Sequence, residues 1–214
     1  MGHSHYGGRR RIDRTVMKTI FLIRHGESTS DVEDRYGGDY DDHLTEKGRS
    51  QAREIAQNLN GTGIENFFVS PKLRAKETAE ILAAVLGCGM EIIEDMREQN
   101  YYAALTGMRR KEAALRFPQL VAMLPHADMP LPGAEPRQEF IGRVRAAFTL
   151  ITSAPYHIIG IVTHAGPIRR ITDEILRLGE ITHIDRGAII TLDDDGTRWR
   201  IVESQGISLR PSSV

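Results

Sequence analysis

Apolar and polar residues alternate along the chain in two periods, one typical of strands and one typical of helices. Short apolar runs predict strands over residues 16–24, 64–71, 90–95 and 157–164. Apolar residues at helical spacing predict helices over residues 45–59, 72–87, 139–153 and 167–178. A further helical pattern over 108–124 contains Pro118, which we expect to break it. Strands over 187–194 and 197–204 flank Asp195-Gly196 and predict a terminal hairpin.

This order of elements predicts an α/β fold. Strands that alternate with helices form an open, mainly parallel sheet that helices cover on both faces, so we expect a three-layer αβα sandwich. The sequence has no internal repeat and no sign of a second domain, and we expect one catalytic domain over residues 17–214. Residues 1–16 lack an apolar run, and we interpret them as a tail or tag.

The composition argues against several classes of function. The 214 residues carry 28 Lys and Arg against 29 Asp and Glu, so the formal net charge is −1. This balance gives no general attraction to nucleic acid or to an anionic membrane, and the sequence has no apolar run of about 18 residues that could span one. Cys88 is the single cysteine, which rules out a disulfide framework and is typical of a cytoplasmic protein. We therefore expect neither a nucleic-acid partner nor a membrane partner.

Charged and titratable residues follow the ends of the predicted parallel strands. The first strand ends at Arg24 and His25, and the fourth ends at His164. Arg74 lies at the start of the helix after the second strand, and Arg97 and Glu98 follow the third strand. Ligands of open α/β sheets bind outside the carboxyl ends of the strands, so we expect these six side chains to converge there.

These residue types fit the chemistry of a phosphate ester. Arg24 and Arg74 present planar forks of donors that suit phosphate oxygens, and His164 can donate a further hydrogen bond. Neighbouring positive charge keeps the His25 ring neutral, so one ring nitrogen is free to attack phosphorus and form a phosphohistidine. Glu98 is then the candidate general acid for the alcohol that leaves, and the candidate base for the water that follows.

Four segments carry a family resemblance: LIRHGES, SPKLRAKETAEIL, MREQNYYAALTG and IVTHAGPIR. In that order, over residues 18–178, they resemble the histidine phosphatase (phosphoglycerate mutase-like) superfamily. The resemblance implies a phosphoglycerate mutase-like fold, a phosphorylated His25 and a proton-donating Glu98. It also implies that phosphate is bound by Arg24, Arg74 and His164. No metal and no other cofactor is expected, and the expected partner is a small phosphorylated substrate.

Three further positions bear on the substrate. Arg35 falls where members of this family often contact substrate. Asp31 stands where they often carry asparagine, and Ala165 follows the second histidine where they commonly have glycine. A carboxylate next to a phosphate dianion is repulsive, so we expect Asp31 either to pair with Arg35 or to reach a hydroxyl of the substrate. The residues assigned to substrate binding are Arg24, Arg74, His164, Asp31, Arg35 and Ala165.

The sequence leaves several functions open. A metal-independent phosphomonoesterase is favoured. A phosphoglycerate mutase would use the same phosphohistidine, but mutases of the family usually have longer insertions around the substrate. A module that binds phosphorylated ligands without turnover is a third alternative. A metallohydrolase is a fourth, although Arg24 and Arg74 would repel a cation. The natural substrate stays open, as does the choice between a monomer and a homodimer.

Overall fold

The computed structural model describes residues 17–124 and 130–210. Within them, six strands form one sheet in the order β3-β2-β4-β1-β5-β6. The strands are β1 (Lys18–Arg24), β2 (Asn66–Val69), β3 (Gly89–Ile92), β4 (Ile158–Thr163), β5 (Glu180–Asp194) and β6 (Trp199–Arg210). The first four pair in parallel, whereas β5 is antiparallel to both β1 and β6. The predicted α/β fold with a mainly parallel sheet is confirmed, while the predicted tail, residues 1–16, lies outside the described residues.

Seven α-helices accompany the sheet in the described part of the chain. They are α1 (Thr29–Val32), α2 (Glu46–Asn58), α3 (Leu73–Leu86), α4 (Arg110–Arg116), α5 (Pro118–Met123), α6 (Arg137–Thr152) and α7 (Ala165–Arg169). The last continues as a π-helix over Arg170–Ile175, and short 3₁₀ turns cover Glu94–Met96 and Ala103–Leu105. Of the helices in residues 17–124 and 130–210, none combines the length and the apolar character that crossing a bilayer requires.

The side chains of β1 explain why helices cover both faces of the sheet. Ile20 and Leu22 pack into one buried cluster together with the apolar face of α6. Phe21 and Ile23 point the other way and pack with α2 and α3. Since successive side chains of a strand alternate between faces, four consecutive apolar residues require two apolar layers. The result is the three-layer sandwich that the sequence predicts.

Local signals set several ends of the helices. The Thr45 side chain accepts a backbone hydrogen bond in the first turn of α2, and Gly87 ends α3 with a left-handed φ of 71°. Pro118 separates α4 from α5, as predicted. The predicted start of α7 after Pro167 is wrong, because the helix begins at Ala165. A proline fits the first turn of a helix, where its missing N–H needs no intrahelical partner.

The terminal hairpin is longer than predicted. β5 begins at Glu180 rather than at residue 187, and β6 runs to Arg210 rather than to residue 204. The pairing shifts register between Ile184 and Ile189, which marks a β-bulge in β5. Polar residues of the bulge interrupt the apolar alternation, and for this reason the pattern alone indicated a strand that starts only after them.

Candidate active site

His25 follows the carboxyl end of β1 and is buried, and its backbone N–H donates to the carbonyl of Thr163 at the end of β4 (3.0 Å). Its Nδ1 lies 2.7 Å from the carbonyl oxygen of Gly26. A carbonyl oxygen only accepts, so Nδ1 carries the hydrogen and Nε2 of the neutral ring keeps a lone pair. Burial, and then the charges of Arg74 and Arg24, hold the pKa of His25 well below its usual 6.5, which keeps the ring neutral.

Arg74, in the first turn of α3, faces that lone pair. Its Nε donates to Nε2 of His25 over 3.1 Å. Its two terminal nitrogens donate to a neighbouring loop, at 2.7 Å to the Asp42 carboxylate and at 2.5 and 2.8 Å to the carbonyls of Tyr40 and Gly38. Only 4% of the Arg74 side chain and 1% of the Asp42 side chain are exposed. These contacts fix the guanidinium beside the histidine.

Two buried side-chain nitrogens near His25 have no hydrogen-bond partner among the described residues. One is Nε of Arg24, whose Nη1 donates to the carbonyl of Ile184 (2.6 Å). The other is Nδ1 of His164, whose ring centroid lies 5.0 Å from that of His25. Nε2 of His164 lies 2.7 Å from the Ser70 hydroxyl, and with that hydroxyl as donor the ring hydrogen lies on Nδ1. An oxyanion against His25 would give both nitrogens an acceptor, which buried polar atoms normally have.

The fixed charge around His25 is positive. Burial, and then the nearby Arg186, lower the pKa of Arg24 to about 10, so its guanidinium stays charged at neutral pH. Burial, and then Arg74, hold the pKa of His164 well below 6.5. Over residues 17–124 and 130–210, no three His, Cys, Asp or Glu side chains are grouped so that they could hold a metal ion. The arrangement can bind an anion next to a neutral imidazole.

Glu98 lies beside the start of α7. Its Oε2 accepts a hydrogen bond from the backbone N–H of Gly166 (3.0 Å), and its Oε1 accepts one from Gln99 (2.9 Å). A Cβ atom on Gly166 would lie 1.9 Å from Oε1, so any larger residue there would displace this carboxyl group from its present position. Together with Ala165 and Gly38, Glu98 lines a cavity of about 270 Å³. Each carboxyl oxygen keeps a second lone pair that can hold a proton.

Arg143 of α6 holds the loop that carries Glu98. Its terminal nitrogens donate to the backbone carbonyls of Asp95, Arg97 and Glu98 at 2.7, 2.9 and 3.1 Å. The same guanidinium binds both carboxylate oxygens of Glu135, at 2.5 and 2.8 Å. The two side chains of this pair are only 10% and 13% exposed. One arginine therefore connects the candidate proton donor to the helical layer.

Arg143 was not among the site residues predicted from the sequence. This arginine lies three residues after Phe140 and four before Ala147, both of which are buried in α6. Positions at this spacing share one face of a helix, so Arg143 sits on the apolar face. A charged residue on the apolar face of a predicted helix could have indicated Arg143, because a buried charge requires partners.

Asp31 pairs with Arg186, and the expected ion pair between Asp31 and Arg35 is wrong. Asp31 accepts from Nη2 of Arg186 (2.7 Å) and from the backbone N–H of Ser28 (2.9 Å). Arg35 instead donates to Glu33 (2.5 Å). The reason is the bulge in β5, which brings Arg186 over the first turn of α1. Burial raises the pKa of Asp31, but the hydrogen bonds from Arg186 and Ser28 outweigh it and lower the pKa to about 2.

The sequence matches the model of the histidine phosphatase superfamily (branch 1) over residues 20–205. A protein of Salmonella paratyphi B named "Probable phosphoglycerate mutase GpmB" is 32% identical over 143 residues, which cover 65% of this chain and 65% of that protein. The protein of the same name from Cronobacter sakazakii is 42% identical over 81 residues, which cover 38% of this chain and 37% of that protein. The matched part thus spans between 37% and 65% of the length of these curated relatives.

Solved phosphatase structures have a similar fold. The mycobacterial glucosyl-3-phosphoglycerate phosphatase, solved in complex with VO3, superposes with a TM-score of 0.73 at 23% identity, covering 89% of this chain and 100% of that chain. The α-ribazole phosphatase from Shigella flexneri gives a TM-score of 0.73 at 20% identity, covering 91% and 96%. At these identities the likeness is one of fold.

Proposed function

The chain belongs to the histidine phosphatase superfamily, and we propose that it is a metal-independent phosphomonoesterase that works through a phosphohistidine on His25. One observation carries the proposal. The Nε2 lone pair of buried, neutral His25 faces a guanidinium, and two further buried nitrogens beside it, on Arg24 and His164, find no acceptor among the residues that the structure describes. A phosphoryl group supplies oxygens for these donors and an electrophilic phosphorus for the lone pair.

In the first step, Nε2 of His25 attacks phosphorus while the bond from phosphorus to the ester oxygen breaks. Arg24, Arg74 and His164 hold the non-bridging oxygens, whose charge they stabilise. The hydrogen bond from Nδ1 of His25 to the Gly26 carbonyl orients the ring and stabilises the positive charge that develops on it.

Glu98 protonates the alcohol that leaves. Its carboxyl group lines the cavity that would receive the leaving group, and Ala165 and Gly166 of α7 line the same cavity. In the second step, Glu98 takes a proton from a water molecule, which attacks phosphorus and releases His25 and inorganic phosphate.

Of the residues assigned to substrate binding, Ala165 lines the cavity beside Glu98, whereas Asp31 and Arg35 are held by other side chains. Each of these two side chains is engaged with another, Asp31 with Arg186 and Arg35 with Glu33. We therefore propose that Asp31 positions Arg186. Arg35 could contact the substrate only if its ion pair with Glu33 broke. A cytoplasmic location stays a prediction, and so does the choice between a monomer and a homodimer.

A phosphoglycerate mutase is the second candidate, because the curated relatives carry that name. A mutase returns the phosphoryl group from His25 to an organic acceptor, whereas a phosphatase transfers it to water. A measurement of where the phosphoryl group ends up distinguishes the phosphatase from the mutase. Release of inorganic phosphate in step with substrate loss supports the phosphatase, and isomerised phosphoglycerate without phosphate release supports the mutase.

The proposal is tested by trapping the intermediate. A labelled phosphate ester, mixed with the protein and quenched rapidly, should leave a label that is stable in base and lost in acid, as a phosphorus–nitrogen bond requires. His25→Ala should abolish both the label and turnover. His183→Ala is the matched control, since the His183 side chain is 64% exposed and should not affect either. A label on a hydroxyl side chain, or labelled His25→Ala, would refute the mechanism.

A further inference from the structure

We infer that Arg186 is a further ligand of the transferred phosphoryl group, held beside His25 by the carboxylate of Asp31. This inference rests on the proposed function, because it assigns one more residue to the oxyanion that His25 would attack. It adds a residue that no motif of the sequence singles out.

The bulge in β5 brings Arg186 to the nucleophile. The N–H of Gly187, the next residue, donates to the backbone carbonyl of His25 (3.1 Å). On the other side of Arg186, the carbonyl of Ile184 accepts a hydrogen bond from Nη1 of Arg24 (2.6 Å). The bulge thus binds both the last residue of β1 and the histidine that follows it, and Arg186 lies between these two contacts.

Asp31 fixes the guanidinium group of Arg186 on this side of the site. Its Oδ1 accepts from Nη2 of Arg186 (2.7 Å), and its Oδ2 accepts from the N–H of Ser28 at the start of α1 (2.9 Å). The electrostatics agree with this placement. Burial is the largest cause of the lowered pKa of Arg24, and the charge of Arg186 is the next. The two guanidinium groups therefore lie close enough to interact.

Arg74 shows how such a pair works on the opposite side of His25. Nη1 of Arg74 donates to the Asp42 carboxylate (2.7 Å), and its Nε faces the lone pair of His25. Arg186 likewise gives one terminal nitrogen to a carboxylate, and its side chain forms no other hydrogen bond within the described residues. Most of its N–H donors are thus left for another acceptor. The structure holds the same device twice, an arginine that a carboxylate orients beside the nucleophile.

The charge of Asp31 makes this role of Arg186 necessary. An ionised carboxylate repels a phosphate dianion, and a guanidinium can bridge the two because its donors point in different directions. Glu27 and Asp185 also attract Arg186, but each of them is paired with another side chain. The Arg186 side chain is 46% exposed, against 4% for Arg74. Arg186 would therefore bind the phosphoryl oxygen on the open side of the site.

Binding of inorganic phosphate measures this contact without turnover. By calorimetry, Arg186→Gln should bind phosphate about 10-fold more weakly than the parent protein, the lower end of the range expected of a hydrogen bond to a charged group. A cooperative melting transition checks that the variant folds. Arg198→Gln is the matched control, because Arg198 pairs with Asp195 at the turn of the same hairpin, near the opposite end of β1, and should leave phosphate binding unchanged.

The effect of Asp31 has to be separated from that of Arg186, because loss of the arginine also leaves a bare carboxylate near the anion. Asp31→Asn removes that charge and keeps an oxygen that can accept from Arg186. In the Asp31→Asn protein, Arg186→Gln should again weaken phosphate binding about 10-fold. Equal binding by Asp31→Asn and the double variant would show that Arg186 only neutralises Asp31, and would overturn the inference.

A lysine separates contact from charge. Arg186→Lys keeps the positive charge but not the planar fork, so it should recover only part of the affinity that Arg186→Gln loses. Recovery to the value of the parent protein would show that charge alone attracts phosphate, and would overturn the contact.

The outcomes distinguish this inference from the proposed function. Phosphate binding that is unchanged in Arg186→Gln overturns the role of Arg186 and leaves the phosphatase proposal standing. A parent protein that neither binds phosphate nor hydrolyses any phosphate ester overturns the proposed function, and the inference with it.

Discussion

Nε of Arg74 donates a hydrogen bond of 3.1 Å to Nε2 of His25, the ring nitrogen that would attack phosphorus. This N–H group therefore covers the lone pair that would make the attack. A phosphate oxygen carries charge and is a stronger acceptor than a neutral imidazole nitrogen. In the proposed mechanism, a bound phosphoryl group would draw the Arg74 N–H away from His25, so its binding would also expose the lone pair.

Replacement of Glu98 should slow poor leaving groups far more than good ones. General acid catalysis contributes about 10²–10⁴-fold, and an alkyl phosphate needs it fully because its alkoxide leaves badly. We expect Glu98→Gln to lower kcat/KM for an alkyl phosphate by that factor and to change an aryl phosphate little. Glu94→Gln, at an exposed position just before the same loop, is the control. Equal losses on both esters would assign Glu98 a structural role.

Like Glu98→Gln, Arg143→Gln should slow alkyl phosphates more than aryl phosphates, although Arg143 would act only by positioning the loop that carries Glu98. Without it, three backbone carbonyls of the Glu98 loop lose this donor, and Glu135 loses its two hydrogen bonds from the guanidinium. A misplaced catalytic group costs about 10²-fold, and the loss should fall on alkyl phosphates.

The conservative variant and a neighbour serve as controls for this prediction. Arg143→Lys keeps the charge but not the fork, so it should restore part of the activity. Arg145→Gln, on the exposed face of the same helix, should have no effect. In the double variant with Glu98→Gln, fully additive losses would show that Arg143 does not act through Glu98.

Vanadate should inhibit the enzyme, and chelation should not. Vanadate takes five ligands and resembles the phosphoryl group during transfer, and a solved structure of similar fold contains VO3. Arg24 and Arg74 supply the positive charge of the site, so EDTA should leave the rate of aryl phosphate hydrolysis unchanged. Activity that disappears in EDTA and returns with zinc or magnesium would contradict the metal-independent mechanism.

The pair of Asp31 and Arg186 should make stability depend on pH in the acid range. The pKa of Asp31 is about 2 in the folded protein, against about 3.9 for an unfolded aspartate. A lowered pKa contributes stability that is fully present above the unfolded value and is lost as pH falls toward the folded one. The parent should therefore lose more thermal stability than Asp31→Asn between about pH 4 and pH 2.

Melting temperatures at pH 5, 4, 3 and 2 measure this difference. Arg186→Gln removes the partner of Asp31 and should flatten the pH dependence in the same direction as Asp31→Asn. Parallel curves for the parent and Asp31→Asn would show that the pair does not affect stability.

Much of the fold and the cluster around His25 could be predicted from the sequence, because both follow from the order of residues within single strands and helices. Four apolar residues of β1 require two covering layers, and the ends of parallel strands share one edge. Arg24 is the last residue of β1, and His164 directly follows β4. The structure brings both beside His25, and their chemical roles stay proposals.

Contacts between distant parts of the chain could not be read from the pattern. Asp31 and Arg186 are 155 residues apart, and they meet through a bulge that interrupts the alternation of β5. Arg143 reaches the Glu98 loop over 45 residues. The periodicity of apolar residues indicates which face of a helix or strand is buried, but it does not indicate which loop a long polar side chain contacts.

The loop that carries Glu98 is held by hydrogen bonds from two other elements of the fold, α6 and β4. Arg143 ties its carbonyls to α6, and the Thr163 hydroxyl ties the carbonyl of Met96 to β4 over 2.6 Å. A group that stands in place before the substrate arrives gives up little conformational entropy when the substrate binds. As the proposed proton donor, Glu98 would therefore already be in place when the substrate binds, and no lid would have to close to bring it there.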